Sequence, residues 1–209
     1  EQLDAVVISK GPGSYTGLRI GVSAAKGLCY ALDKPLVSVS TLRALAGQEK
    51  GTDFIIPMLD ARRMEVYAAV FGAQYELLRE TQAEIVDESS FEEYLQQGPT
   101  TFIGSGVEKF QKLVTHENAK YVKDAMPSAS DLAPIAEEKF MKRDFEDVAY
   151  FEPYYRLFRN KFFVQFFEDI YFFTFVKYLK ITTSFYTTHI RGKDKNSILN
   201  FHKNIGRFC

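Results

Sequence analysis

The chain has 209 residues, of which 46% are hydrophobic and 25% are charged, and its formal net charge is -1. These values are typical of a globular protein with a buried core, in one or two compact units. A pI near 6.4 gives no general attraction for nucleic acid or an anionic membrane, so any contact with RNA must be local or made through a partner.

The two cysteines, Cys29 and Cys209, lie far apart in the sequence and have no second pair. A disulfide framework or a cysteine-rich zinc site is therefore not expected, and a cytoplasmic location fits this composition best. The chain begins with Glu-Gln-Leu-Asp and shows no basic segment followed by an apolar one, so no signal peptide is predicted.

Residues 1–47 have the pattern of one strand-turn-helix-strand unit. In order, the pattern predicts a strand at 5–8, a glycine-rich turn at 10–17, a helix to about 32, a strand at 36–39 and a short helix at 41–46. Such a unit is typical of a βαβ arrangement with two parallel strands. The polar residues 48–53 then form a candidate domain boundary.

Residues 48–156 alternate between strand and helix patterns, which indicates an α/β fold. Strands are predicted at 54–59, 64–71, near 84–86 and at 101–103; helices are predicted at 91–96, after 104–106 and from 130 to about 142. Residues 60–63 form a turn that predicts a hairpin between the first two of these strands. Ser130 and Pro134 supply signals for the start of the last helix.

Residues 157–209 differ in composition from the rest of the chain, being rich in Phe and Tyr and then basic. The apolar run 170–176 is far shorter than the roughly 20 residues that a membrane-spanning helix needs, so no membrane anchor is predicted. Two interpretations stay open. The segment is either a buried or aggregation-prone end, or the product of a reading frame lost near Leu157.

The glycine turn, KGPGSYTGLRIG at 10–21, does not match a phosphate-binding loop. A Walker loop ends in Gly-Lys-Ser or Gly-Lys-Thr, whereas this turn ends in Thr-Gly-Leu. The glycine spacing approximates a dinucleotide fingerprint, but the acid expected after the second strand is absent. A structural turn explains more residues: Gly11, Gly13 and Gly17 allow unusual or crowded backbone, Pro12 fixes one angle, and Ser14 or Thr16 caps the helix.

The helix after this turn has two faces without large polar groups. One face carries Leu18, Val22, Ala25, Leu28, Cys29 and Leu32. A neighbouring face carries Gly17, Ile20, Gly21, Ala24, Gly27 and Ala31. Two interpretations stay open: the helix lies between its own sheet and a partner's helix, or it is sandwiched inside its own domain. If the helix contacts a partner's helix, Val22→Glu or Ala25→Glu is predicted to stop partner binding while the isolated fold survives.

Three stretches resemble the bacterial TsaB (YeaZ) family of tRNA threonylcarbamoyladenosine biosynthesis proteins. They are KGPGSYTGLRIGVSAAKGLCYAL at 10–32, the IP-x-x-DARR-x-EVY pattern at 56–67 and Y-x-EP-x-Y at 150–155. The resemblance covers residues 1 to about 156 and implies the two-lobed actin-like, Hsp70-like (ASKHA, ribonuclease H-like) ATPase fold. Compared with that family, the chain is expected to lack the opening strands and first helix. Residues 1–47 would then be a first-lobe remnant, residues 48–156 the second lobe and residues 157–209 an unmatched tail.

The resemblance implies a scaffold without catalytic residues, cofactor or metal of its own. Family members pair with the related TsaD, which carries the metal and transfers the threonylcarbamoyl group to adenosine 37 of tRNA, and the ATPase TsaE joins the complex. Contact with tRNA would come only through that complex. Whether two copies of the chain pair through the same helix when the partner is absent stays open, and the apolar face of the helix favours such pairing. The implied partner contacts are Leu18, Val22, Ala25, Leu28, Cys29 and Leu32.

The alternative is an ATP-dependent enzyme of the same fold, or a homologue of M22-type glycopeptidases, acting alone. Actin-like phosphotransferases need an acid-and-glycine turn in each lobe, but Asp60 is followed by Ala-Arg-Arg. Residues 104–106 resemble an adenosine-contacting turn, although a strand-to-helix connection is favoured. His116, His189 and His202 are scattered and predict neither a metal site nor a catalytic triad. For Arg62 and Arg63 a solvated turn is favoured over contact with tRNA phosphates.

Overall fold

The computed structural model describes residues 3–155, and within this range strands and helices alternate. The strands are β1 (Val6–Ser9), β2 (Leu36–Val39), β3 (Phe54–Asp60), β4 (Glu65–Gly72), β5 (Leu77–Ile85), β6 (Thr100–Ile103) and β7 (Ala119–Val122). The helices are α1 (Tyr15–Leu32), α2 (Thr41–Ala46), α3 (Glu92–Leu95), α4 (Val107–Gln111) and α5 (Ala129–Met141). The predicted α/β class is confirmed, whereas the predictions for residues 157–209 lie outside the described residues.

The first sheet contains β1 and β2, which pair in parallel as predicted, and α1 connects them. Because successive side chains of a strand point to opposite faces, Val7 and Val37 are buried on one face beneath α5. Ile8 and Leu36 are buried on the other face beneath α1. Both faces of this short parallel sheet are therefore covered, which explains why its strands are mostly apolar.

The second sheet has the strand order β5-β4-β3-β6-β7. The predicted hairpin of β3 and β4 is confirmed, with Met58 opposite Ala68, and β5 adds a second antiparallel pair. β6 and β7 continue the sheet in parallel with β3. One face is covered by α3 and α4, where the rings of Phe102 and Phe110 lie 4.7 Å apart at their centroids.

Helix α2 lies between the two sheets and is almost entirely buried. Its Leu42 and Leu45 side chains belong to the core on the second sheet, together with Ile55 and Ile103. Ala44, on the other side of the helix, packs with the first sheet. Residues of the predicted first unit thus contribute to both cores, and the division of the chain near residue 47 stays a prediction.

Helix α5 returns the chain from the second sheet to the first. It begins with a capping box, in which Ser128 and Asp131 bond to each other's backbone amides. Leu132 and Ala136 pack on the first sheet. After the helix, the amide of Glu146 donates a hydrogen bond of 2.8 Å to the carbonyl oxygen of Leu36 in β2. The last described residues therefore belong spatially with the first.

None of the helices between residues 3 and 155 combines the length and the apolar character that crossing a membrane requires.

Candidate partner-binding surface

The glycine turn is held by backbone contacts that leave little room for side chains. Gly11 has a φ of +97°, and a Cβ placed on it would lie 3.1 Å from Cδ1 of Leu18. Its carbonyl oxygen accepts a hydrogen bond of 3.0 Å from the amide of Thr41, the first residue of α2. The hydroxyl of Ser14 accepts a bond of 3.3 Å from the amide of Gly17 and caps α1. This geometry supports a structural role for the turn.

One face of α1 is buried in the chain's own core. Val22, Ala25 and Cys29 are 5%, 6% and 2% exposed. They pack against the α1 side of the first sheet and against the ring of Phe151. Within the described residues the sheet and the ring of Phe151 cover these three positions, and their contact with a partner stays a prediction.

The other predicted contacts are distributed around the edge of this buried face. Leu18 and Leu28 are partly buried, while Leu32 is 46% exposed at the end of the helix. Burial also raises the pKa of the Cys29 thiol, so the group stays protonated and is a poor nucleophile at neutral pH. The buried face thus serves packing, without a chemical role for its cysteine.

A second face of α1 is open and carries no charged side chain. Ile20 is 48% exposed, Gly27 and Ala31 are exposed, and Ala24 lies half-buried between them. A Cβ added to Gly27 would meet nothing within 4 Å. These residues, with Gly17, recur at three- and four-residue spacing and so lie along one side of the helix. We call this set, Gly17, Ile20, Ala24, Gly27 and Ala31, the open stripe.

The open stripe was visible in the sequence as the second apolar face, but the interface was predicted on the first. Sequence spacing shows that two faces are apolar, and it does not show which one packs on the chain's own sheet. The covering ring comes from Phe151, more than a hundred residues after α1 in the chain. Ile20 and Ala31, which the predicted set of contacts does not include, are therefore exposed on the face that stays open.

Aromatic and basic side chains lie at the N-terminal end of α1, on the side away from the open stripe. The ring centroids of Tyr15 and Tyr155 lie 5.3 Å apart, and the Arg19 guanidinium lies 5.5 Å from the centroid of the Tyr15 ring. Tyr15 is 55% exposed. The contact of Tyr15 with Tyr155 connects the first turn of α1 to the last described residues of the chain.

The turn between β3 and β4 does not have an open acidic site. Oδ1 of Asp60 lies 2.6 Å from the ammonium of Lys109 and accepts a bond of 2.6 Å from the Arg62 amide. Arg62 and Arg63 are exposed, with φ values of +73° and +48°. A nucleotide metal at this carboxylate would compete with the Lys109 ammonium.

Histidine and acidic side chains do not gather into a candidate metal site in the described part of the chain. Among residues 3–155 no group of three or more His, Cys, Asp or Glu side chains could hold a metal ion. His116 lies in a loop, where its Nδ1 accepts a bond of 3.1 Å from the amide of Asn118. His189 and His202 lie outside the described residues.

Comparison with known proteins identifies relatives of this chain. A sequence model described as TsaD, tRNA N6-adenosine threonylcarbamoyltransferase, matches residues 1–160. The tRNA threonylcarbamoyladenosine biosynthesis protein TsaB of Escherichia coli is 31% identical over 163 residues, 73% of this chain and 70% of its own length. The TsaB of Bacillus subtilis is 44% identical over 81 residues, 38% of this chain. The matched region spans 35% of that relative's length.

The fold is shared with solved structures of the same group. YeaZ from Pseudomonas aeruginosa superposes with a TM-score of 0.64 and 24% sequence identity, over 73% of each chain. This likeness, with two sheets joined by a buried helix, assigns the actin-like (ASKHA) fold. The chain belongs to the TsaB (YeaZ) family.

Proposed function

We propose that this chain is a non-catalytic subunit in tRNA threonylcarbamoyladenosine biosynthesis that binds and activates a TsaD-type catalytic paralogue. Its place in the pathway is supported by the names of its relatives in Escherichia coli and Haemophilus influenzae. In this proposal a TsaE-type ATPase joins the cytoplasmic complex, and tRNA contacts the chain only through it.

The open stripe of α1 is the observation that carries the proposal. It presents apolar and small side chains, none of them charged, along one side of the 18-residue helix α1. Small side chains allow two helix axes to approach closely, so that backbone as well as side chains contribute contact area. A contiguous exposed apolar surface on a water-soluble chain is typical of an interaction site. A helix of a related subunit is the occupant that fits this shape.

The catalytic alternative has less support among the described residues. The carboxylate of Asp60 is engaged by Lys109 and by the Arg62 amide. The Cys29 thiol is buried and protonated. A subunit that acts by binding explains both the engaged carboxylate and the exposed stripe.

Paired arginine substitutions on α1 test the proposal. Ala31→Arg and Ile20→Arg place a charge in the open stripe, whereas Tyr30→Arg adds the same charge about 100° around the helix from Ala31. Tyr30 is 87% exposed. We expect the first two variants to bind the purified TsaD-type protein of the same genome at least about tenfold more weakly, and the control to bind like the wild type. Calorimetry or biolayer interferometry measures the affinity.

Two results would contradict this assignment. Equal binding by all variants would show that the stripe is not the contact surface, and failure of the wild type to bind would remove the proposed partner. Light scattering on the isolated chain adds a third measurement. If two copies pair through the same stripe when the partner is absent, Ala31→Arg shifts the dimer to monomer and Tyr30→Arg does not.

A further inference from the structure

Residues 146–155, here called the closing segment, lie against α1 on the side away from the open stripe. The ammonium of Lys26 donates hydrogen bonds of 2.9 Å to the carbonyl oxygen of Ala149 and 3.2 Å to that of Phe151. The ring of Phe151 is 9% exposed and packs on the buried face of α1. A charged group and an apolar ring thus hold the same stretch of backbone to the helix.

The closing segment also holds the turn that precedes α1. The amide of Tyr154 donates a hydrogen bond of 2.7 Å to the carbonyl oxygen of Lys10. Its carbonyl oxygen lies 3.4 Å from the position that a Cβ on Gly11 would take. The start of α1 is therefore held from outside as well as by its own cap.

The same tyrosine reaches the second sheet. The hydroxyl of Tyr154 donates a hydrogen bond of 3.1 Å to the carbonyl oxygen of Thr81 in β5. β5 is the first strand in the order of the five-stranded sheet. One short segment therefore connects α1, the glycine turn and the second sheet.

The closing segment has its own internal hydrogen bonds. Oδ1 of Asp147 accepts bonds of 2.8 Å from the amide of Ala149 and 3.2 Å from that of Tyr150. The carbonyl oxygen of Asp147 accepts a bond of 2.8 Å from the amide of Phe151. At its start, the Glu146 carboxylate accepts a bond from the buried Ser38 hydroxyl in β2. The segment is thus a turn with defined geometry.

We propose that the closing segment sets the orientation of α1 relative to the five-stranded sheet, and that Lys26 is a positioning residue for partner binding. This inference rests on the proposed function. Lys26 is two residues from Ala24, and at 3.6 residues per turn the two side chains point to nearly opposite sides of α1. Lys26 therefore affects a partner on the open stripe only through the helix that it holds.

Hydrogen exchange on the isolated chain tests the connection without any partner. Lys26→Met removes the ammonium at similar length, and Tyr154→Phe removes the hydroxyl that bonds to Thr81. Lys26→Met removes two hydrogen bonds and Tyr154→Phe removes one, so we expect the amides of Phe151 and Tyr154 to exchange at least roughly fivefold faster. The matched controls, Lys112→Met and Tyr150→Phe, are exposed and should leave these amides unchanged. Unchanged exchange in both test variants would overturn the inference.

Affinity for the TsaD-type protein tests the positioning role. We expect Lys26→Met and Tyr154→Phe to weaken binding by about threefold to tenfold, and Lys26→Arg, which keeps a cationic donor, to restore it. Wild-type affinity in variants whose closing segment exchanges faster would overturn the positioning role and leave the proposed function intact. Failure of the wild type to bind would instead overturn the proposed function, and the positioning role with it. If Lys26→Met does not fold, Tyr154→Phe alone decides between these outcomes.

Discussion

The ammonium of Lys109 lies 2.6 Å from Oδ1 of Asp60, at the point where β3 ends and the hairpin turn begins. The same ammonium donates a bond of 3.2 Å to the carbonyl oxygen of Glu65 on the other side of the turn. A cation of the chain itself therefore bridges the two strands. This is the turn whose acid an actin-like phosphotransferase would direct toward a nucleotide metal.

This contact predicts that the isolated chain does not bind ATP. We expect titration calorimetry with ATP and Mg²⁺ to show no saturable heat in the millimolar range, because the carboxylate is engaged and the turn has no glycine. Lys109→Met frees Asp60 from its cation, and we expect it to bind no better because the turn still has no glycine to admit a nucleotide. Saturable binding by the wild type would favour the ATP-dependent enzyme over the scaffold.

Two glycines predict opposite effects of the same substitution. Gly104 has a φ of +117°, and an added Cβ would lie 2.4 Å from the carbonyl oxygen of Met58. Gly104→Ala should lower the free energy of unfolding by about 2–4 kcal/mol. Gly27 is in the exposed part of a helix, so Gly27→Ala should raise it by about 0.5–1 kcal/mol. Urea unfolding followed by circular dichroism measures the free energy of unfolding of both variants. Equal free energies for Gly104→Ala and Gly27→Ala would contradict the geometry described for Gly104.

Val22 and Ile20 predict how a charge is tolerated on the two faces of α1. Val22 is 5% exposed and Ile20 is 48% exposed. Val22→Glu should lower the free energy of unfolding by roughly 3 kcal/mol or more, because it buries a carboxylate without a partner. Ile20→Glu should change it by only about 0.5 kcal/mol. Loss of partner binding by Val22→Glu would thus report unfolding, and a fully stable Val22→Glu variant would contradict the assigned face.

Asp87 predicts a pH dependence of stability. The Ser89 hydroxyl, followed by the Ser90 hydroxyl and the Ser89 amide, lowers the pKa of the Asp87 carboxyl. A lowered pKa in the folded state stabilises the fold above the unfolded value of about 3.9, and this contribution is lost as the pH falls through the folded value. We expect Asp87→Asn to be less stable than the wild type at neutral pH, with a difference that shrinks below about pH 4.

Unfolding of both chains between neutral and acidic pH, with a carboxyl titration by NMR, measures this effect. A carboxyl that titrates at its ordinary value, or a stability difference that grows in acid, would contradict the hydrogen bonds assigned to Asp87.

Much of the fold could be predicted from local patterns, and the exceptions have physical reasons. β1, α1 and β2 were found because their apolar residues pack on a sheet with both faces covered. β5 was predicted only near its end. Its exposed position at the start of the sheet order permits polar residues such as Arg79 and Gln82, which hide the alternation of a strand.

The sequence was sufficient to predict the helix that carries the candidate site, but not which face of that helix is exposed. The spacing of apolar residues within the 18 residues of α1 is sufficient to identify the helix and its two apolar sides. The choice between the sides depends on Phe151, whose carbonyl bonds to Lys26 across 125 positions of sequence. Contacts at that separation are set by the tertiary fold, and no window along the chain contains them.

The return of α5 to β1 and β2 has a consequence for synthesis on the ribosome. Roughly 90 residues separate the end of β2 from the start of α5. At about 5–20 residues per second, β1 and β2 are therefore synthesised some seconds before the helix α5 that packs on them. During that interval Val7 and Val37 are exposed in the nascent chain. Before residue 129 is translated, the nascent chain therefore exposes an apolar strand pair. Chaperones that bind exposed apolar segments are able to bind it during this interval.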